Sequence, residues 1–466
     1  MGGRPGTRRL VRRGGSSSAV EVTAEEPEEP PVSTAVNLRD VVAATPSDRH
    51  RTVDLLRGTS LIAVAVGHWL LATLVLDDGR LSATSALAEV PGLQLLTWVF
   101  QVMPLFFLCG GVANLRSWAS ATGRGDGYRV WLGGRLRRLV GPTVVAVGCW
   151  VAGLGVLVAT GLLPAELVGL AAATVSVPLW FLAVYLLVVA AAPAMLAWHR
   201  RAGLAVPIVL TVGAFAVDVA HGAGVPLVGW ANFALVWLVP QQLGFLWADG
   251  RLGGRRTAAL AAVGGLATLV ALTFAGPYPV SVVGVPGAEA SNNSPPTVVL
   301  LALALTQLGL VRLAEPALER WLQRPRVWGA VVVLNLRALT VYLWHLPVLV
   351  AVAAVLAPAG LTPLVAPGAP GWWATRPVWL VQLLVVLVAV APLVGRLEDA
   401  PLLASRPSAR AVPGAVVAGV AAFALLATHG VPVPGTAVEA GSWAGLAALG
   451  VAAAALRHEG AARRLP

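Results

Sequence analysis

The sequence predicts an all-α bundle of transmembrane helices, and three observations carry that prediction. Hydrophobic residues make up 57% of the 466-residue chain, and mean hydropathy is +0.78. Charged residues are only 12%, about half the share of soluble domains, so there is too little polar surface to cover a core in water. The apolar stretches run for about twenty residues, enough at 1.5 Å per residue to cross a hydrocarbon layer of roughly 30 Å. Only helices and closed barrels satisfy their backbone in lipid. Barrel strands would alternate polar and apolar residues over about ten positions, which these stretches do not.

The elements follow in order. Residues 1–50 are polar, with Arg8, Arg9, Arg12 and Arg13 ahead of Glu25, Glu26, Glu28 and Glu29. This composition predicts a disordered cytoplasmic tail with no cleavable signal peptide, leaving the first span as the insertion signal. Spans are predicted at 53–76, 93–115, 139–160, 176–198, 204–220, 228–248, 257–275, 297–311, 330–356, 377–395, 411–429 and 442–456. Residues 51–396 thus hold ten spans, and 397–466 hold two more with a short cytoplasmic tail. Two connections are long: an Arg-rich segment from Arg116 to Arg138, and GPYPVSVVGVPGAEASNNSPP from Gly276 to Pro296, too irregular for a helix. A loop of that length is usually functional or disordered. No internal repeat is visible.

All 33 basic residues are Arg, and net charge is +11. They are scattered between apolar spans, which argues for a membrane and against a nucleic-acid partner. With the N-terminus inside, every Arg except Arg80 and Arg376 falls on a cytoplasmic segment or helix end. The positive-inside rule then predicts a multi-pass cell-membrane protein with both termini cytoplasmic. Cys109 and Cys149 lie within spans and read as packing residues, and no metal-ligand spacing occurs.

The chemistry-bearing residues are few. His68 follows Arg57 by eleven residues in the first span, close to three helical turns, so both side chains share a face about 16 Å apart along the axis. Asp54 lies on that face one turn before Arg57. An ionisable group deep in a span is costly and faces a cavity or a partner, and His is the side chain suited to proton transfer near neutral pH. The competing reading is a helix–helix hydrogen bond worth about 1 kcal/mol or less. Tyr342 and His345 form a second pair, one turn apart in the ninth span. His199 and His221, at span ends, read as interfacial. Arg135, Arg137 and Arg138 offer guanidinium forks that suit phosphate, or else simple topological anchors. Tyr278, in the outer loop, offers a ring face to an acceptor.

Together LLRGTSLIAVAVGHWL, PLFFLCGG, RLRRLVGP, PLWFLAVYL and YLWH form an ordered series that resembles acyltransferase family 3, bacterial integral-membrane O-acyltransferases of sugars, polysaccharides and secondary metabolites. Arg57 and His68 match that family's motif of Arg, ten residues, His. Cys109 stands where the family commonly has Ser, and the last two spans lie beyond its ten-helix core. The resemblance implies an acyl-CoA co-substrate used from the cytoplasm, no other cofactor, and a hydroxylated glycan, lipid-linked or small-molecule acceptor, as in O-acetylation. In that scheme His68 is the general base and Arg57 binds donor phosphate or stabilises developing charge. Arg135, Arg137 and Arg138 hold the donor, while Asp54, Tyr342 and His345 support. A covalent acyl-His route stays open, as does a multi-pass transporter or lipid flippase with His and Arg lining the path.

Overall fold

The computed structural model describes residue 45 and residues 49–77, 80–400, 402–403, 407–435 and 439–457. The predicted tail at 1–50 falls almost wholly outside these residues, as does 458–466.

The bundle is all-α. Its helices are α1 (Arg51–Leu71), α2 (Met103–Gly123), α3 (Tyr128–Thr160), α4 (Ala165–Ser176), α5 (Leu179–Ala202), α6 (Ala205–Gly222) and α7 (Asn232–Ala248). There follow α8 (Arg255–Val270), α9 (Val299–Leu322), α10 (Pro325–Leu336), α11 (Ala338–Val355), α12 (Trp372–Glu398), α13 (Val412–His429) and α14 (Ala440–Arg457). Among the described residues, ten helical segments are long and apolar enough to cross a membrane, and each coincides with a predicted span. The other two predicted spans are α1, which carries Arg51, Asp54, Arg57 and His68, and the 17-residue α7, which carries Asn232, Gln241 and Gln242.

Several boundaries differ from the sequence reading, each for a local reason. The first span ends at Leu71, and the chain turns into an antiparallel hairpin, β1 (Ala72–Asp77) with β2 (Arg80–Ser85). The Arg-rich segment 116–138 is mostly helix, because α2 runs on to Gly123 and α3 starts at Tyr128. Trp131, Leu132, Leu136, Leu139 and Val140 are buried at helical spacing there, so the guanidinium groups ride on a packed helix. The ninth span breaks at Arg337, which separates α10 from α11.

Helix α1 lies inside the bundle, packed against α2, α9, α10, α11 and α12. Its first turn is fixed by polar contacts: Thr52 donates to Glu319 through both N–H and hydroxyl, and Arg51 donates to the Leu322 carbonyl. Helices α2 and α7 touch backbone to backbone at Gly111 and Gly244, where a Cβ on either would meet the other's main chain. Gly111, the second glycine of PLFFLCGG, is therefore a close-crossing residue of the small-residue kind. Beside it, Asn114 donates to Gln241 in the buried interface. The C-terminal helices α13 and α14 pack on each other, α13 also on α5 and α14 on α3.

Candidate active site

Two histidines that stand 277 residues apart in sequence meet in the bundle. Nδ1 of His68, near the end of α1, lies 2.9 Å from Nε2 of His345 on α11, and the two rings are nearly parallel, 14° apart. His345 is fully buried. Its Nδ1 lies 2.6 Å from the carbonyl oxygen of Tyr342. A carbonyl only accepts, so His345 carries its proton on Nδ1, and in the neutral ring its Nε2 is a bare acceptor. His68 must then donate from Nδ1. The remaining nitrogen, His68 Nε2, keeps a free lone pair. Hydrogen bonding thus assigns one tautomer to each ring.

Tryptophans hold this pair. The Trp69 indole donates to the His345 carbonyl at 2.8 Å, and the Trp379 indole donates to the Trp69 carbonyl at 2.7 Å. Glu398, at the end of α12, accepts from Thr340 and Trp344, clamping α11 on both sides of the turn that carries Tyr342. The Tyr342 hydroxyl is committed as well, donating to the Pro178 carbonyl at the start of α5. Tyr342 therefore positions α11 and is not free to meet a substrate.

The arginines gather elsewhere. Arg57, Arg135 and Arg138 are close enough for their charges to interact, and Arg135 lies against the Tyr185 hydroxyl. Arg135 also stacks on Trp131 at 4.6 Å. Among the described residues none of Arg57, Arg135, Arg137 and Arg138 has an ion-pair partner, and Arg137 Nε is buried with no acceptor. Asp54, one turn before Arg57, instead binds Arg49 at 2.6 Å. Gathered like charges without carboxylates are unfavourable until an anion joins them, so the cluster is suited to a polyanion.

Aromatic rings bridge the arginine and histidine groups. Tyr185 stacks on Phe181, Phe181 meets Tyr342 edge to face, and Tyr342 meets His345. Phe106 of PLFFLCGG closes against Phe181 and Tyr185. Sequence reading passed over Phe106, Phe181, Tyr185, Trp69 and Trp379. The four-residue spacing of Phe181 and Tyr185, which puts both on one face, was the available signal.

His199, in the last turn of α5, is buried and bonded to Asp249 at 3.0 Å, and one further reading is corrected. Tyr278 is half-buried, and its hydroxyl donates to Asp218 at 3.0 Å. Burial, with the Asp218 carboxylate adding to it, pushes the phenol well above its usual range, so it stays a donor. The loop around it is folded down: Trp98 and Thr97 bond Val280 and Val282, and Gln101 bonds Val282 and Asn293. That 97–101 segment abuts α1, with Phe100 against Gly67, next to His68. No group of His, Cys, Asp and Glu side chains able to hold a metal occurs among the described residues.

A family described as acyltransferase domain matches residues 50–396. The chain belongs to acyltransferase family 3. The matched region contains both histidines, the clustered Arg57, Arg135 and Arg138, the nearby-in-sequence Arg137 and the aromatic bridge, and ends before α13. No curated protein and no solved structure matches the chain in parallel comparisons. Family membership supports a membrane acyltransferase.

Proposed function

We propose that this acyltransferase family 3 protein moves an acyl group, acetyl being the simplest, from acyl-CoA on the cytoplasmic side to a hydroxyl of a glycan, lipid-linked or small-molecule acceptor. The observation that carries the reading is the 2.9 Å bond between His68 and His345, which leaves one imidazole nitrogen free to act as a base. Donor phosphates bind at Arg57, Arg135, Arg137 and Arg138, charge-assisted contacts of the strong kind. The pantetheine arm runs past the partly exposed Tyr185 toward the histidines, with the buried Phe181 and Tyr342 backing its path. His68 Nε2 takes the proton of the acceptor hydroxyl as its oxygen attacks the thioester carbonyl. The tetrahedral intermediate collapses, the carbon–sulfur bond breaks, and the coenzyme A thiolate recovers the proton from His68. His345 Nε2 holds the imidazolium that forms in between.

The test is to incubate membranes containing the protein with radiolabelled acetyl-CoA and follow label into lipid, glycan and small-molecule fractions. Label is expected in one of these fractions with wild-type protein and not with His68→Ala. Equal labelling in both removes His68 from the chemistry. No labelling with either, across several acyl-CoA donors, favours the transport reading.

A further inference from the structure

A second concave site lies at the end of α6. It is a cavity of about 160 Å³ lined by His221, Gly229, Trp230, Phe233, Ser294 and Pro295, with Leu227 at its rim. Its volume is close to the roughly 150 Å³ of an apolar cavity known to hold a benzene ring, so it has room for one six-membered ring. Trp230 and Phe233 stack at 5.3 Å, 21° from parallel, presenting a broad aromatic surface. Gly229 forms the floor: a Cβ there would come within 2.9 Å of Pro295 and 3.2 Å of His221 Nδ1.

The walls come from three elements, and one carboxylate ties them together. Asp218 on α6 accepts from Asn232 at the start of α7, from the Val298 N–H just before α9, and from Tyr278 in the loop. The site is therefore held in shape before any ligand arrives. Leu227 adds a second observation. It has φ 62° and is 79% exposed. A left-handed conformation is rare for a non-glycine residue and is found where surrounding structure imposes it, often at ligand sites.

We propose that this pocket binds a single sugar ring of the acceptor, stacked on Trp230 and Phe233 with hydroxyls bonded to His221 and Ser294. The inference rests on the acyltransferase reading. A flat ring face suits the aromatic wall, and the exposed polar groups beside it suit equatorial hydroxyls. An acyl chain would need a longer apolar groove than these residues form. The loop 276–296 links this pocket to the histidine site, since Ser294 and Pro295 line the one while Asn293 bonds Gln101 near the other.

The experiment is saturation-transfer NMR on full-length protein in phosphatidylcholine nanodiscs, which contain no sugar headgroup. The probes are the methyl glycosides of glucose, galactose and N-acetylglucosamine. Transfer to ring protons of at least one glycoside is expected, retained in Trp230→Phe and in His68→Ala. The dissociation constant should rise about tenfold in Trp230→Ala or Phe233→Ala, the loss expected for one stacking surface. Two alanine variants guard against misfolding of either one. No transfer from any glycoside, transfer unchanged in both alanine variants, or protection of this pocket by lipid chains alone overturns the proposal. If acetyl-CoA labelling persists while sugar binding fails, only the subsite is lost. If sugar binding persists without labelling, only the acyltransfer reading is lost.

Discussion

At the scale of single residues, the site is a chain of hydrogen bonds that fixes where each proton sits. Tyr342 C=O sets the His345 tautomer, His345 sets the His68 tautomer, and the result is a free His68 Nε2. The two histidines should then respond differently to mutation. His68→Ala should lower the transfer rate by about a hundredfold or more, the usual worth of a general base, with normal protein level in the membrane because one intramembrane hydrogen bond adds little stability. His345→Ala should lower kcat by about tenfold or more and leave donor and acceptor KM unchanged, since it removes only the group that orients the base. His345→Gln should recover part of the loss, because its side-chain carbonyl can accept from His68 Nδ1. Steady-state kinetics on membranes check this, and full activity of His345→Ala would separate the second histidine from catalysis. Each histidine was legible in the sequence from its place within an apolar span. Their pairing was not, because contacts across hundreds of residues leave no local periodicity. Tyr278 misled for the opposite reason: its loop position was right, but nothing nearby in sequence announced Asp218.

At the scale of elements, α3 does the work that hydropathy averaging assigned to a loop. Five arginine-flanked apolar residues, Trp131, Leu132, Leu136, Leu139 and Val140, bury one face of its first turns. Arg and Leu are good helix formers, so the segment has no reason to unwind, whereas a window average sees only its charge. Because the arginines stand on a packed helix, Arg135 is held over Trp131 and next to Tyr185. Arg135→Gln and Arg138→Gln should each raise the donor KM about ten- to hundredfold, as expected for a lost bond to a charged group. The acceptor KM should change little. Kinetics with varied acetyl-CoA at fixed acceptor decide the matter, and an unchanged donor KM in both variants would leave these arginines as topological anchors. The hairpin after α1 was not legible at all: Thr73 and Val75 favour strands only weakly, and their apolar neighbours extend the span without a break.

At the scale of the whole molecule, the bundle has two chemically different ends, and α1 connects them. Its first turns carry Arg57 toward Arg135 and Arg138, while its last turn carries His68, with Gly67 against Phe100. The folded loop 276–296 caps that second end through Trp98 and Gln101. One orientation in the membrane therefore decides several assignments together. With the arginine end cytoplasmic, a coenzyme A nucleotide meets unpaired guanidinium groups, and the loop with its aromatic pocket faces outward. The reverse orientation would put the donor site where no cytoplasmic donor reaches it. Reporter insertions in the turn 124–127 and after Pro286 test this. The first is expected to report the cytoplasm and the second the outer side, as the distribution of arginines requires. Both sites on the same side would mean that the number of crossings between α2 and α9 is wrong. An exchange of the two signals would invert the molecule and remove the cytoplasmic donor from the proposed reaction, while leaving the histidine pair and its tautomers as they are.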